Sequence, residues 1–208
     1  MISLMDKIKR RIRAHGRGKW VCTPKDFLDL GNRSAVDQAL SRLAKSGILR
    51  RIGRGLYDFP RNSRVLNRPA PPNVDAAVNA IVRRDKIQIM PDGIVVANQL
   101  GLTNAVPAKT SYMTNGSSRI LKVGDRTVQF RHASQRLIDW ANRPSAPIVQ
   151  AMDWMGKHVA SAPGMIDTLR MKLSDAMKQD LMKGINLLPS AWMASIVHSL
   201  NLDLSVAA

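Results

Sequence analysis

Apolar residues near the start of the chain recur at helical spacing. Leu4, Ile8 and Ile12, with Met5 beside them, form one stripe over residues 1–15, and Lys7, Lys9, Arg10, Arg11 and Arg13 fall largely outside it. Gly16 and Gly18 end that predicted helix, and Lys19–Cys22 reads as a short extended segment. Thr23-Pro24 then offers an N-cap and a first helical position, with Asp26 in the first turn. This predicts a brief second helix from Pro24 to Leu30, closed by Gly31. Val36, Ala39, Leu40 and Leu43 follow the i, i+3, i+4, i+7 pattern of a third helix, which starts near Asn32 or Ser34 and ends at Gly47. Two short runs come next, Ile48–Ile52 and Leu56–Phe59. The Gly53-Arg54-Gly55 turn between them signals a hairpin.

Residues 60–73, PRNSRVLNRPAPPN, carry four prolines and no periodicity. Such a stretch reads as a linker or strap, which places a boundary at 63–73 between an N-terminal domain, 1–62, and a C-terminal one, 74–208. Beyond it, Asn73 caps a helix with Val74, Ala77, Val78 and Ile81 on one face. Ile87–Met90 is a short strand, and Ile94–Leu100 a helix ending at Gly101. Thr110–Thr114, Arg119–Val123 and Thr127–His132, with turns at Asn115-Gly116 and Gly124-Asp125, predict a small antiparallel meander. From Ser134 the chain reads as helical, with breaks at Pro144, Pro147, Pro163 and Pro189.

The expected fold class is therefore α+β. Helix, strand, helix, turn, helix and hairpin within the first 60 or so residues is the order of a winged helix-turn-helix. A C-terminal mixed domain follows, with its sheet reaching to about residue 133 and a helical part over 134–208.

Charge changes this picture. The 208 residues carry a formal net charge of +17, and all 15 acidic residues are aspartates. Residues 1–64 hold 16 Lys/Arg against 5 Asp, whereas residues 65–208 hold 16 against 10 over more than twice the length. That asymmetry points to a polyanion partner for the N-terminal part. The basic residues do not oppose one broad aromatic and aliphatic face, so a membrane surface is not the expected partner. Cys22 is the lone cysteine, which excludes an intramolecular disulfide and a cysteine-based zinc site. No apolar run approaches membrane-spanning length and no signal-peptide pattern opens the chain, so a cytoplasmic protein is expected.

Catalytic patterns are missing. His15-Gly16-Arg17-Gly18-Lys19 lacks the spacing of a phosphate loop and follows a helix rather than a strand; its cations suit contact with a DNA backbone. His132 and Asp139 lack a nucleophile elbow, and the four histidines, His15, His132, His158 and His198, are not at metal-ligand spacing. Trp140, Trp154, Trp192 and the methionines around them read as core. The expectation is no enzyme, no metal and no cofactor.

With Val36, Ala39, Leu40 and Leu43 turned inward, the third helix offers Ser34, Gln38, Ser41, Arg42 and Lys45 outward, with Arg33 at its start. These residue types can pair with base edges in a major groove or with phosphate: Gln with adenine, Arg with guanine, Ser with either. The hairpin then becomes a candidate wing. Arg54 is its tip, Arg51 a flanking phosphate contact, and Tyr57 either a phosphate-bonding hydroxyl or a packing residue. Arg50 should alternate to the other face or lie against the third helix.

The run from Ser34 to Pro60, SAVDQALSRLAKSGILRRIGRGLYDFP, resembles AbiEi-type antitoxins of type IV abortive-infection toxin–antitoxin systems. Ala97–Thr103 (ANQLGLT), Val106–Lys109 (VPAK), Tyr112–Gly116 (YMTNG) and Arg131–Ser134 (RHAS) extend the resemblance over roughly residues 1–135. It implies a winged helix that binds double-stranded DNA at promoter inverted repeats and represses its own operon; two-fold operator binding would then need two protomers at the half-sites, as a dimer or as monomers assembling on the DNA. It also implies a C-terminal domain that neutralises a separately encoded nucleotidyltransferase-type toxin without requiring a stable complex. Lys109, Arg119 and Arg131, basic residues of the meander, are the candidates for that antitoxin activity. The alternative is a stand-alone winged-helix transcription factor with a ligand-binding or dimerising C-terminal domain. A winged-helix nuclease is a weaker rival, because the carboxylates are not clustered.

Overall fold

Ser3 accepts the Asp6 N–H and starts α1, Leu4–Ala14, whose Ile8 and Ile12 are buried. The computed structural model describes residues 2–63 and 67–200. It is α+β and divides into two compact units, residues 1–87 with 120–128, and residues 88–119 with 129–208.

In the first unit, α1 is followed by β1, Val21–Cys22, and a 3-10 turn, Pro24–Phe27. The expected helix to Leu30 is thus shorter and tighter. Asp26 folds back to accept the Thr23 N–H at 2.7 Å, and Leu30 N–H bonds Phe27 C=O at 3.0 Å, an i to i+3 step. With so few residues between Pro24 and Gly31, such bonds close the segment before an α-turn pattern is established. Next come α2, Arg33–Lys45, and the hairpin of β2, Arg50–Gly53, and β3, Leu56–Asp58. The strands form an antiparallel sheet in the order β1-β3-β2. Ile8, Ile12, Cys22, Phe27, Val36, Leu40, Leu43, Leu49 and Tyr57 share one core. Burial pushes the Cys22 thiol well above its ordinary range, so it acts there as a small apolar group.

The proline-rich stretch differs from a free linker. β4, Asn62–Ser63, pairs antiparallel with β5, Arg68–Pro69, and the buried Ala70 donates its N–H to Arg61 C=O at 2.9 Å. Residues 64–66, part of the expected linker, lie outside the described residues. The helix after it, α3 over Val74–Asp85, also belongs to the first unit. It packs on β1, and Arg83 donates to Val21 C=O at 3.0 Å. Its buried Ala77, Val78 and Ile81 face therefore completes this unit instead of opening another.

The second unit contains β6, Ile89–Pro91, α4, Gly93–Gln99, and β7, Thr110–Thr114. β8, Arg119–Val123, and β9, Arg126–His132, complete the strand order β6-β7-β9-β8, with residues 120–128, most of β8 and the start of β9, grouping with the first unit. The expected meander is therefore corrected: β7 neighbours β9 rather than β8, so Asn115-Gly116 does not close a hairpin between adjacent strands. The helical part comprises α5, Gln135–Ile138; α6, Ala146–Ala160; α7, Pro163–Lys172; α8, Asp175–Lys183; and α9, Ala191–Ser199. Residues 201–208 of the expected tail lie outside the described residues. Trp140, Ile148, Met152, Leu169, Leu181, Met193 and Val197 form its core, with Met155, Met165, Met177 and Trp192 packed against them. Beyond the proline breaks, α6 is bent at Gly156. No helix among the described residues is long and apolar enough to cross a membrane.

Candidate nucleic-acid interface

α2 is amphipathic in the expected sense. Asn32 caps it by accepting the Ala35 N–H at 2.9 Å, and Val36, Ala39, Leu40 and Leu43 are buried. Ser34, Gln38, Ser41, Arg42 and Lys45 are exposed on the other side. Arg33 is exposed too, but pairs with Asp37 at 2.7 Å across one helical turn, an exposed contact worth about 0.3–0.5 kcal/mol. Arg42 and Lys45 form no ion pair among the described residues.

In the hairpin, register decides which arginine is available. Arg50 pairs with Asp58 and Arg51 with Tyr57. Arg50 Nε and Nη2 meet the two Asp58 oxygens at 3.1 and 2.6 Å, and Nη1 donates to Ala70 C=O at 2.8 Å. Arg50 therefore neutralises a buried carboxylate. Arg51 and Arg54 are exposed. Gly55 takes a φ of +65°, a left-handed turn conformation that a glycine adopts without strain. The turn is held by its main chain: Arg54 C=O accepts from Arg84 Nη1 at 3.1 Å, and Ile52 C=O from Gly124 N–H at 3.0 Å. The Arg54 side chain thus projects from a fixed backbone. Tyr57, by contrast, is only 8% exposed and sits in the core. It belongs to the packing of the sheet and not to the exposed set.

More cations surround these elements. Lys7, Arg10 and Arg13 are exposed on α1. Arg11 is bound to both oxygens of Asp29, at 2.8 and 2.6 Å, and that bond holds the Asp29 carboxyl below its usual range. Arg17 lies 4.0 Å over the Phe59 ring.

The three candidates of the second unit do not share a face. Arg119 is half-buried with its guanidinium 5.4 Å from the Phe130 ring. Arg131 follows Phe130 on β9 and so points from the opposite face. There its Nη1 is 3.4 Å from Asp92 Oδ2, which also accepts the Ser111 hydroxyl at 2.7 Å. Lys109 is exposed just before β7. A cavity of about 100 Å³ lies beside Arg131, lined also by Asp92, Gln150, Asp153 and Trp154. Partial burial raises the Asp153 carboxyl, with Arg131 opposing.

The family of unknown function DUF6088 matches residues 7–181. The chain belongs to this family. No curated protein matches it. Among solved structures it is similar to the crystal structure of the RV2827C protein from Mycobacterium tuberculosis. The identity is 16% over all of this chain and 84% of that one, with a TM-score of 0.43.

The family match covers α2, the β2–β3 hairpin and strands β6 to β9. Asp92, Gln150 and Asp153 were not legible as a group. Asp92 reads as part of a Pro-Asp-Gly turn, and the other two lie on α6, which only tertiary packing brings against α4. The buried main chain of Gly93 permits that approach: a Cβ there would lie 2.6 Å from both Gln150 C=O and Trp154 Cβ.

Proposed function

We propose that the first unit is a winged helix-turn-helix that binds double-stranded DNA, and that the protein represses its own promoter and serves as the antitoxin to a nucleotidyltransferase-type toxin in the cytoplasm. The observation that carries the DNA reading is the division of α2 into a fully apolar buried side and an exposed side of Ser34, Gln38, Ser41, Arg42 and Lys45. The exposed Arg51 and Arg54 of the hairpin support it.

In this reading α2 enters the major groove, where Gln38 pairs with an adenine and Arg42 with a guanine. Ser34, Ser41, Lys45 and Arg33 contact base edges or phosphate. Arg54 reaches the minor groove or its phosphates, and Arg51 grips the backbone beside it. Arg50 acts through Asp58 to hold the hairpin, not through DNA. Two protomers on an inverted repeat occlude the promoter, a mechanism that requires no bond chemistry and no cofactor. The antitoxin half is supported by the resemblance over roughly residues 1–135, with Lys109, Arg119 and Arg131 as its candidate residues.

A duplex from upstream of the gene, titrated by fluorescence anisotropy, tests the first half. Expected is salt-dependent binding that exceeds binding to a scrambled duplex by about a thousandfold or more; equal affinity for both overturns it. Co-expression with the adjacent gene tests the second half, with restored growth expected. Continued growth arrest removes the antitoxin role and leaves the repressor. The cavity beside Asp92, Arg131 and Asp153 favours a second reading, a winged-helix transcription factor whose second unit takes a small ligand.

A further inference from the structure

The first unit also contains a cavity of about 340 Å³ that α2 does not line. Arg17, Lys19, Arg50 and Arg61 all border it, together with Gly18 and Asn73. Its size falls within the range of small-molecule sites. The acidic side chain bound at its margin, Asp58, is 2% exposed and already engaged by Arg50.

The four cations divide into two fixed and two available. Arg50 is held by Asp58 and by Ala70 C=O, and Arg17 by its stacking on Phe59 and a 3.0 Å bond to Pro60 C=O. Lys19 and Arg61 are exposed and form no ion pair among the described residues. Gly18 permits the arrangement. Its N–H bonds Phe59 C=O at 2.7 Å, and a Cβ on it would lie 3.2 Å from Cγ and Cδ of Arg61. The stem of Arg61 thus lies against bare backbone, and Arg61 and Lys19 both line the cavity. Like charges gathered around one concavity repel, and an anion with several acceptor oxygens relieves that repulsion. Guanidinium forks match phosphate oxygens in geometry as well as charge.

We propose that this cavity is a phosphate-binding site, filled either by a phosphorylated small molecule or by backbone phosphate of nucleic acid. From the segment His15–Lys19, Arg17 and Lys19 take part without phosphate-loop geometry, because they supply side-chain cations and not a cradle of N–H groups. The site is separate from the base-reading face of α2 and stands independently of it.

The test uses the full chain and pyrophosphate, followed by isothermal titration calorimetry, with the parent, a Lys19→Ala/Arg61→Ala variant and a Lys7→Ala/Arg10→Ala variant. The last removes two exposed cations of α1 that do not line the cavity. Saturable binding by the parent should weaken at least about tenfold in the cavity variant and hold within about twofold in the α1 variant. All the substituted residues are exposed, so unchanged circular dichroism is expected. A second arm measures duplex DNA affinity against salt. If the cavity variant lowers the salt slope by about two, backbone phosphate fills the site; if it loses only pyrophosphate, a free phosphorylated ligand does. Equal loss in both variants, or no change in pyrophosphate affinity and salt slope in the cavity variant, overturns the proposal. A parent that binds pyrophosphate through Lys19 and Arg61 but no duplex overturns the DNA reading alone.

Discussion

Arg50 and Asp58 oppose each other across the β2–β3 ladder, with two guanidinium nitrogens on two carboxylate oxygens at 3.1 and 2.6 Å. Asp58 is 2% exposed, whereas the Arg50 side chain keeps 28% of its surface. The pair thus converts one of the three hairpin arginines into a structural part and leaves Arg51 and Arg54 outward. Asp58→Ala should destabilise the protein by about 2–3 kcal/mol. That is below the range for a wholly buried pair, because Arg50 retains solvent. Urea unfolding measures it, and a loss under about 1 kcal/mol would assign the pair little structural weight. Arg51→Ala should stay within about 0.5 kcal/mol.

Arg54→Ala should weaken binding to every duplex alike and reduce the salt slope by about one, the signature of a phosphate contact. The turn backbone is anchored by Arg84, so removal of the side chain leaves the hairpin in place. An unchanged slope would take Arg54 out of the interface.

Gln38→Ala should relax preference at a single base pair, by about 1–3 kcal/mol of discrimination. Binding of operator variants ranked in parallel for parent and mutant reads this directly. The same ranking in both would count against base readout by Gln38.

Asp180 should make the second unit sensitive to acid. Burial alone would raise its carboxyl, but hydrogen bonds from Arg143, at 2.8 and 3.0 Å, and from the Ser145 hydroxyl and N–H outweigh burial and hold it below 3.8. A group lowered in the folded state stabilises fully above its unfolded value, and that stabilisation disappears as pH falls through the folded value. Asp180→Asn should therefore cost about 1–3 kcal/mol at neutral pH, and the gap to the parent should close below about pH 4. Melting temperatures recorded against pH for both proteins check it; a constant gap would assign the acid sensitivity elsewhere.

Gly93→Ala should push α4 off α6, because its Cβ would meet Gln150 C=O and Trp154 Cβ at 2.6 Å. The expected cost is about 1–3 kcal/mol in thermal or urea unfolding, with duplex binding by the first unit retained. A stability equal to the parent would show that the two helices separate freely.

Much of the local structure was legible in the residues themselves. Val36, Ala39, Leu40 and Leu43 define the buried side of α2 because helix periodicity is local. Gly53-Arg54-Gly55 marks the hairpin turn for the same kind of reason, and the segments of β7, β8 and β9 were visible from their flanking turns, but their order was not: β9 lies between β7 and β8. Tyr57 shows where such reasoning ends. Alternation along β3 suggests that one of two neighbours faces outward, yet Leu56, Tyr57 and Asp58 are all buried. β3 is the central strand of its sheet, and both of its faces are covered.

By itself, then, the sequence determined where most α-helices and the β2–β3 hairpin form and which side of α2 turns inward, since each depends on spacing within one element. Only the tertiary structure decided that Arg50 serves Asp58 and Ala70, that α3 and the proline-rich ribbon complete the first unit, and that Arg119 and Arg131 part to opposite faces. Those outcomes depend on partners far apart along the chain, where the charge of an arginine is unchanged but what it faces is set by packing.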